Sequence, residues 1–245
     1  MNFLPHDQQI DLYYRLGIQA FNLRLYQESI KHCKSLLNYD GENPHKVNAV
    51  GILRDAYFKI EDYIQSELYS LQYKQFKYCY TNENIILMEA LFSVKKGNLE
   101  QAIKQLTALL ETCSNDSAVL ATNHLLQLYL QQGSLKEADF VLNNCRVDQS
   151  LISNPLVQAE YAEFLSFQGE YYLAVGDFEN SITCMLDGAL YYSRIDDIDK
   201  EKECLSKVMQ IQLEHNLPSY STFEKLNNYY TKSKRKRRDE HEKTT

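Results

Sequence analysis

The chain has 245 residues, of which 44% are hydrophobic and 24% are charged, a balance that is ordinary for a soluble globular protein with a substantial core. Eight glycines and four prolines leave little material for the turns of a large sheet, so they favour long helices. No run approaches the roughly 18 apolar residues of a membrane span, and the first residues show no signal peptide, so we expect a cytoplasmic protein that does not enter a membrane.

The net charge of −7 is unevenly distributed along the chain. Residues 232–245 hold seven Lys/Arg and three Asp/Glu, which leaves the rest of the chain at −11. Because phosphate contacts need clustered cations, nucleic acid is disfavoured as a partner of this acidic body. We interpret the basic run 232–238 as part of a solvated, disordered tail; the alternative is a nuclear-localisation or nucleic-acid patch.

The cysteines show no metal-binding or disulfide pattern, because none forms a CxxC and no histidine lies nearby at a ligand spacing. In a reducing compartment we expect free thiols, most of them at apolar helix positions. The sequence therefore predicts neither a metal nor another cofactor. The six cysteines are Cys33, Cys79, Cys113, Cys145, Cys184 and Cys204.

The N-terminal part of the chain predicts two helix pairs. The first pair spans about residues 11–22 and 27–37 and is followed by a stretch of strong turn formers at 40–44. The second pair begins near Val47, turns at 60–62 and continues as a long helix to about Tyr80.

Three further pairs follow, with turns at 97–98, 133–134 and 175–177. Ser134 and Glu137 match a capping box at the start of a helix. Residues 146–155 are expected to form a loop before the fifth pair. The acidic run 196–199 suits the start of another helix, and 221–230 offers a last short one. These two helices would close the array as a degenerate sixth pair.

A fixed spacing relates the five pairs. An aromatic residue or leucine follows each turn at intervals of 37, 36, 36 and 43 residues, at Tyr26, Tyr63, Leu99, Leu135 and Phe178. Three residues later stands a small residue, at Ser29, Ser66, Ala102, Ala138 and Ser181. Twelve residues before that stands its partner across the helix crossing, at Gly17, Arg54, Ala90, Leu126 and Gly169.

This pattern is typical of the tetratricopeptide repeat (TPR), a helix–turn–helix unit of about 34 residues. We therefore predict an all-α, right-handed TPR superhelix (α-solenoid) of about five helix pairs plus the degenerate C-terminal pair. Residues 1–9 form a lead-in, 10–231 the solenoid and 232–245 the basic disordered tail. Because Arg54 and Leu126 are not small, we expect the helix crossings at these two positions to be wider or irregular.

Catalytic motifs are missing from the sequence. It contains no GxSxG, HExxH, GxxxxGK[ST] or GxGxxG, and its six histidines are scattered singly. We therefore expect a protein that is not an enzyme.

The concave surface of such a solenoid is lined by the first helix of each pair, and its exposed positions recur at spacings of three and four. The positions selected in this way mix carboxamides, apolar side chains and carboxylates. A carboxamide offers both a donor and an acceptor, so it can pair with the backbone of an extended peptide. The alternative is that these amides only solvate a helix face. The predicted peptide-binding residues are Asn48, Asp55, Phe58, Asn84, Leu91, Asn123, Gln127, Leu130, Glu163 and Glu170.

The spacing near 36, the segment YLAVGDFENSI at 172–182 and the carboxamide-lined face resemble the sensor domains of the RNPP family of Gram-positive bacteria and their phages. That family includes Rap-type regulators, peptide-responsive transcription factors and the similar arbitrium receptors. The resemblance implies quorum sensing: a short signalling peptide is held through its backbone by asparagines, here Asn84 and Asn123, and controls transcription or a regulator protein. Since the chain begins near its first repeat and has no N-terminal helix-turn-helix, we expect either a sensor domain of a longer protein or a stand-alone receptor.

Two other repeat functions are alternatives to peptide sensing. A chaperone adaptor would need Lys and Arg on successive first helices, but Tyr14, Ile18, Ile52, Asn84 and Met88 stand at the clamp positions. A scaffold that binds a folded protein partner in complex assembly stays open as the alternative. The expected partners are thus a short linear peptide, a protein partner such as a regulator or another subunit, and a second copy in a homodimer.

Deletion of residues 232–245 tests the interpretation of the tail. The segment carries too little apolar surface to offset the entropy of ordering it, so we expect the melting temperature to change by no more than a degree or two. Differential scanning calorimetry of the two chains would measure this. A large drop would mean that the basic tail docks on the acidic body.

Overall fold

A computed structural model describes residues 5–39, 42–76, 82–113, 115–145 and 158–217. Within these ranges the chain forms eleven α-helices and no strand, which confirms the all-helical prediction. The expected loop at 146–155, the short helix at 221–230 and the tail at 232–245 lie outside the described residues. The helices are α1 His6–Asn22, α2 Tyr26–Leu37, α3 Lys46–Lys59, α4 Tyr63–Lys74, α5 Asn82–Lys95, α6 Leu99–Thr112, α7 Asn115–Gln131, α8 Leu135–Asn144, α9 Gln158–Ala174, α10 Phe178–Arg194 and α11 Ile198–Glu214.

Two helix boundaries differ from the sequence-based prediction. Helix α1 begins at His6, inside the expected lead-in, because the carbonyl of Pro5 accepts a hydrogen bond from the amide of Gln9 and starts the helix ahead of the apolar periodicity. Helix α4 ends at Lys74 and not near Tyr80. Its last turn is tightened by an i→i+3 hydrogen bond from the amide of Gln75 to Gln72, which closes the helix there.

The chain divides into two compact units, residues 1–109 and 110–245. In the first unit α1 packs on α2, α3 packs on α4, and α2 packs on α3. In the second unit α7 packs on α8 and on α9, and α9, α10 and α11 pack in sequence. Each unit has its own buried apolar side chains, such as Leu36 and Leu53 in the first and Met185 and Val208 in the second.

Three helix crossings share the same kind of hydrogen bond. Ser29 Oγ donates to the carbonyl of Gly17 over 2.8 Å, and the hydroxyls of Ser66 and Ser181 donate to the carbonyls of Arg54 and Gly169 over the same distance. In all three pairs the residues are twelve apart, as the repeat spacing predicts. The serine contacts the backbone, so the side chain at the partner position does not set this distance. The expectation of a wider crossing at Arg54 is therefore wrong.

The side chain of Arg54 turns away from the serine. Its guanidinium lies over the ring of Tyr73, with the carbon 5.0 Å from the ring centroid, and Nε donates to Asp55 over 2.7 Å. A buried arginine is thus accommodated beside a close crossing because its charge is matched by a neighbouring carboxylate.

Seven of the helices in the described part of the chain end in the same three-residue turn. In each turn one residue has positive φ, and the next amide donates to the carbonyl five residues back over 2.8–3.0 Å. This is the Schellman arrangement, which satisfies carbonyls at a helix end. Glycine supplies the positive φ at three of these turns and other residues supply it at four: Gly97, Gly133 and Gly176, and Arg24, Glu61, Asp196 and Asn216.

Aspartate caps the next helix at three of these turns. Asp62, Asp177 and Asp197 each accept a hydrogen bond from the amide three residues later over 3.2–3.3 Å. Ser134 has nearly the same φ and ψ, but its side chain makes no capping hydrogen bond, so the predicted capping box is not formed.

Charge divides between the units. Residues 1–109 carry twelve Lys/Arg and twelve Asp/Glu, whereas residues 110–217 carry six Lys/Arg and seventeen Asp/Glu. The acidity of the body therefore belongs to the second unit, and the first unit is neutral.

The crossing of α1 and α2 yields a test of the close approach. A Cβ added at Gly17 would lie 2.7 Å from the Sγ of Cys33, which is fully buried. We expect Gly17→Ala to destabilise the first unit by about 1–3 kcal/mol through overpacking, despite the better helix propensity of alanine. Urea unfolding, followed by circular dichroism, would measure the loss.

Cys33→Ala supplies the matched second variant. It removes the sulfur that meets the new methyl group, so the double variant should lose clearly less stability than the two single losses added together. Strict additivity of the two losses would contradict the proposed clash.

Candidate functional site

The predicted binding residues fall equally into the two units. Asn48, Asp55 and Phe58 lie on α3 and Asn84 and Leu91 on α5, all in the first unit. The other five lie in the second unit: Asn123, Gln127 and Leu130 on α7, and Glu163 and Glu170 on α9.

In the first unit, α1 and α3 share a polar and aromatic cluster. The ring of Tyr14 stacks on His45 with centroids 4.0 Å apart and an interplanar angle of 9°, and its hydroxyl accepts a hydrogen bond from Asn48 Nδ2 over 3.0 Å. Asp11 lies 3.5 Å from His45 Nε2 and accepts from Arg15 over 2.7 Å. The Asn48 amide is therefore held in one orientation, and its second N–H and its carbonyl group are not used by this hydrogen bond.

Sequence reasoning did not assign His45 to this cluster. The residue precedes α3 and follows Pro44, so no helical periodicity relates it to the α3 positions. The one feature in the sequence that could have indicated His45 is its position at a helix start, directly after a turn.

The remaining candidates of the first unit differ in exposure. Phe58 is half-buried, because its ring packs edge-on against Tyr63 and Phe92 at centroid distances of 5.4 and 5.8 Å. Leu91 is also half-buried, whereas Asn84 is exposed. Asp55 forms the ion pair with buried Arg54, so its carboxylate is already partly neutralised. The exposed carboxamide and the half-buried apolar side chains remain open to a ligand.

Asn123 differs from its predicted environment. It is 1% exposed, and its Nδ2 donates to the carbonyl of Glu160 over 2.8 Å, which ties α7 to α9. The sequence analysis had placed it at an exposed position, and this assignment needs correction. Helix α7 is buried on several sides, since Ala121, Thr122 and Leu125 are buried as well. The run of small residues around Asn123 was the sequence signal for a helix enclosed by its neighbours.

The other candidates of the second unit are more accessible. Gln127 is exposed, and Leu130 and Glu163 are half-buried. Glu170 forms an ion pair with Lys207 of α11, and Lys207 also lies 3.4 Å from Glu203. Sequence reasoning missed Lys207, because no local pattern relates residues that are 37 positions apart.

The α11 charges act on one another. Burial lowers the pKa of Lys207, but the hydrogen bond to Glu170 and the nearby carboxylates outweigh it, so the pKa lies above its ordinary value. The hydrogen bond from Lys200 and the charges of Lys200 and Lys207 lower the pKa of Glu203. Both groups are therefore charged at neutral pH. A ligand cation would find Glu170 already paired.

Thiol chemistry at neutral pH is suppressed at two cysteines. Burial raises the pKa of Cys33 and of Cys184 to about 11, so both remain protonated and weakly nucleophilic. All five cysteines that the structure describes are free, and His, Cys, Asp and Glu nowhere cluster as metal ligands in that part of the chain. None of the described helices has the length and apolar character needed to cross a membrane.

No family model, curated protein or solved structure matches this chain.

Two variants on α7 separate a structural amide from an exposed one. Asn123→Ala removes a buried hydrogen bond between two helices, so we expect it to destabilise the second unit by about 1–3 kcal/mol. Gln127→Ala, one turn further along the same helix, should change stability by less than about 0.5 kcal/mol because the side chain is exposed. Urea unfolding would measure both. Equal stability of the two variants would contradict a structural role for Asn123.

Proposed function

We propose that this chain is a non-catalytic, peptide-binding regulatory TPR protein, in which helix pairs of a right-handed superhelix hold a short linear peptide against the first helix of each pair. The observation that carries the proposal lies in the first unit, where exposed Asn84 and half-buried Asn48 occur with half-buried Phe58 and Leu91 on α3 and α5. Such a surface offers backbone recognition from the amides and side-chain recognition from the apolar groups.

The peptide would bind mainly through its backbone. Asn84 supplies a donor and an acceptor to one peptide group of an extended ligand. Asn48 supplies a second contact, and its orientation is already fixed by Tyr14, whose ring in turn stacks on His45. A side chain held in this way loses less conformational entropy on binding than a free one, so it contributes more to affinity.

In the second unit, charge favours a ligand with a cationic group or a free N-terminus. That unit has eleven more acidic than basic residues between 110 and 217, and Glu163 is half-buried there. Asp55 and Glu170 contribute less than the sequence predicted, because Arg54 and Lys207 already pair with them.

The regulatory part of the proposal rests on the family resemblance. A sensor of the RNPP type, acting in the cytoplasm, would pass its peptide-bound state to an output domain or to a partner protein. That step needs two conformations whose peptide affinities differ.

A scaffold that binds a folded protein partner is the second candidate. It is favoured by a different observation, the exposed apolar side chains of Ile64, Leu68 and Leu71 on α4. Exposed apolar patches of this kind mark interaction surfaces more often than single exposed residues do.

A display library of short linear peptides tests the first candidate. We expect the full chain to enrich an extended motif, and calorimetry with a selected peptide should show Asn84→Ala binding about 5- to 150-fold more weakly, since the lost amide contacts are worth about 1–3 kcal/mol. Lys104→Ala on α6 is the matched control, because this exposed residue lies on a second helix of a pair and should leave affinity unchanged.

Three results would decide against the peptide site. They are the absence of any enriched motif, equal affinity of the parent and the Asn84→Ala chain for a selected peptide, and a loss of affinity in Lys104→Ala as large as that in Asn84→Ala.

A further inference from the structure

Helix α4 carries an exposed apolar stripe that no described element covers. Ile64, Leu68 and Leu71 are 75%, 53% and 54% exposed. They stand at i, i+4 and i+7, so they lie on one face of the helix, along roughly 10 Å of its axis. We refer to these three residues as the α4 stripe.

The repeat itself shows that this stripe is unusual. The three residues are the first, fifth and eighth after the anchor Tyr63, and the same positions in α2 and α6 are also exposed. There they are polar or charged: Gln27, Lys31 and Lys34 in α2, and Glu100, Lys104 and Thr107 in α6. In α8 the first and eighth positions are the polar Lys136 and Asn143, but the fifth is the exposed Phe140. Of these four helices, α4 alone has an apolar residue at all three exposed positions. The repeat fold therefore does not require the stripe, and another role must account for it.

We propose that the α4 stripe is a self-association surface, on which a second copy of this chain packs its own α4 in antiparallel orientation about a two-fold axis near Leu68. In this arrangement Leu68 meets Leu68 of the other copy, and Ile64 meets Leu71 in both directions. The stripe matches itself because one apolar residue lies about one turn to either side of its centre.

The charges at the ends of α4 fit the same arrangement. Exposed Glu61 precedes the helix and exposed Lys74 ends it, so antiparallel packing brings the acidic start of one helix beside the basic end of the other. Lys74 also contacts Glu89 of its own chain. The two helix dipoles are opposed in this orientation, which adds to the attraction. Because residues 1–109 carry no net charge, two copies of this unit approach without overall repulsion.

The size of the stripe predicts a weak, reversible dimer. Three side chains and their flanks bury less than the roughly 800 Å² per partner of a standard stable interface. Association should therefore rise with protein concentration and should not be complete in dilute solution.

Sedimentation velocity of the full chain over a concentration series tests the proposal. The parent should show a rising sedimentation coefficient. A chain with Ile64→Gln, Leu68→Lys and Leu71→Lys, which gives α4 the residues of α2, should associate more than about tenfold more weakly. Its melting temperature should stay close to that of the parent, because the replaced side chains are exposed.

A variant in the second unit is the matched control. Met209 and Leu213 are also exposed and apolar, on α11. Met209→Lys with Leu213→Lys should leave self-association unchanged. Loss of association in this control alone, or unchanged association in the α4 variant, would overturn the proposal.

Disulfide cross-linking locates the axis. Leu68→Cys should cross-link to itself on mild oxidation, because a residue near the two-fold axis brings its two Cβ atoms within disulfide range. Ile64→Cys should cross-link mainly when mixed with Leu71→Cys, and the parent chain measures the background from native cysteines. Cross-linking of Ile64→Cys to itself, with none at Leu68→Cys, would contradict the antiparallel register.

Two other states of the α4 stripe would give distinct results. If the stripe is uncovered, the chain stays monomeric at every concentration and the Leu68→Cys thiol reacts freely with maleimide. A monomer whose thiol is unreactive has another segment of its own chain on the stripe. Either result overturns the proposal. Neither result bears on peptide binding, which uses α3 and α5.

Discussion

The close crossing found in three of the helix pairs is the constraint on which the rest of this structure depends. A serine hydroxyl donates to a backbone carbonyl twelve residues earlier, in both units and over the same 2.8 Å. Such a bond forms only when two helices approach until a side chain of one touches the backbone of the other. Once that approach is fixed, the faces turned away from the crossing are fixed as well. Thus Ser66 sits buried at the crossing while Ile64 and Leu68, on the same helix, are exposed.

The packing of the helices determines which candidate side chains are available to contact a ligand. The cluster of Tyr14, His45 and Asn48 connects α1 to α3, so an amide that could contact a ligand is supported by a stacked ring and not by a mobile loop. Two of the candidate carboxylates are less available to a ligand, because Asp55 already pairs with Arg54 and Glu170 with Lys207. Amides and apolar groups are thus more available for recognition than the acidic side chains. This order of availability favours a ligand that is read through its backbone.

Much of the local architecture could be predicted from sequence, because its signals are local. Each helix pair contains its own anchor residue, its own pair of crossing residues twelve positions apart and its own turn residues. All of these can therefore be recognised from residue types and spacing within a short segment. Small residues around Asn123 signalled an enclosed helix, but the partner of its amide could not be predicted in this way, because Glu160 of α9 lies 37 residues further along the chain. Ser134 has the residue type of a cap but makes no capping hydrogen bond, whereas Asp62 makes one at nearly the same backbone angles. Arg54 failed as a marker of a wide crossing because its backbone, and not its side chain, makes the contact. For the candidate site, residue types were predictable, but their pairing and burial were not.

The division of charge between the two units has a consequence for how ligands arrive. Residues 1–109 are neutral, whereas residues 110–217 carry a net charge of −11. Long-range attraction of a basic molecule therefore originates from the second unit, and it weakens as dissolved salt shortens the Debye length to about 8 Å near physiological ionic strength. Capture of a cation by the second unit should therefore be faster in dilute buffer than at physiological salt.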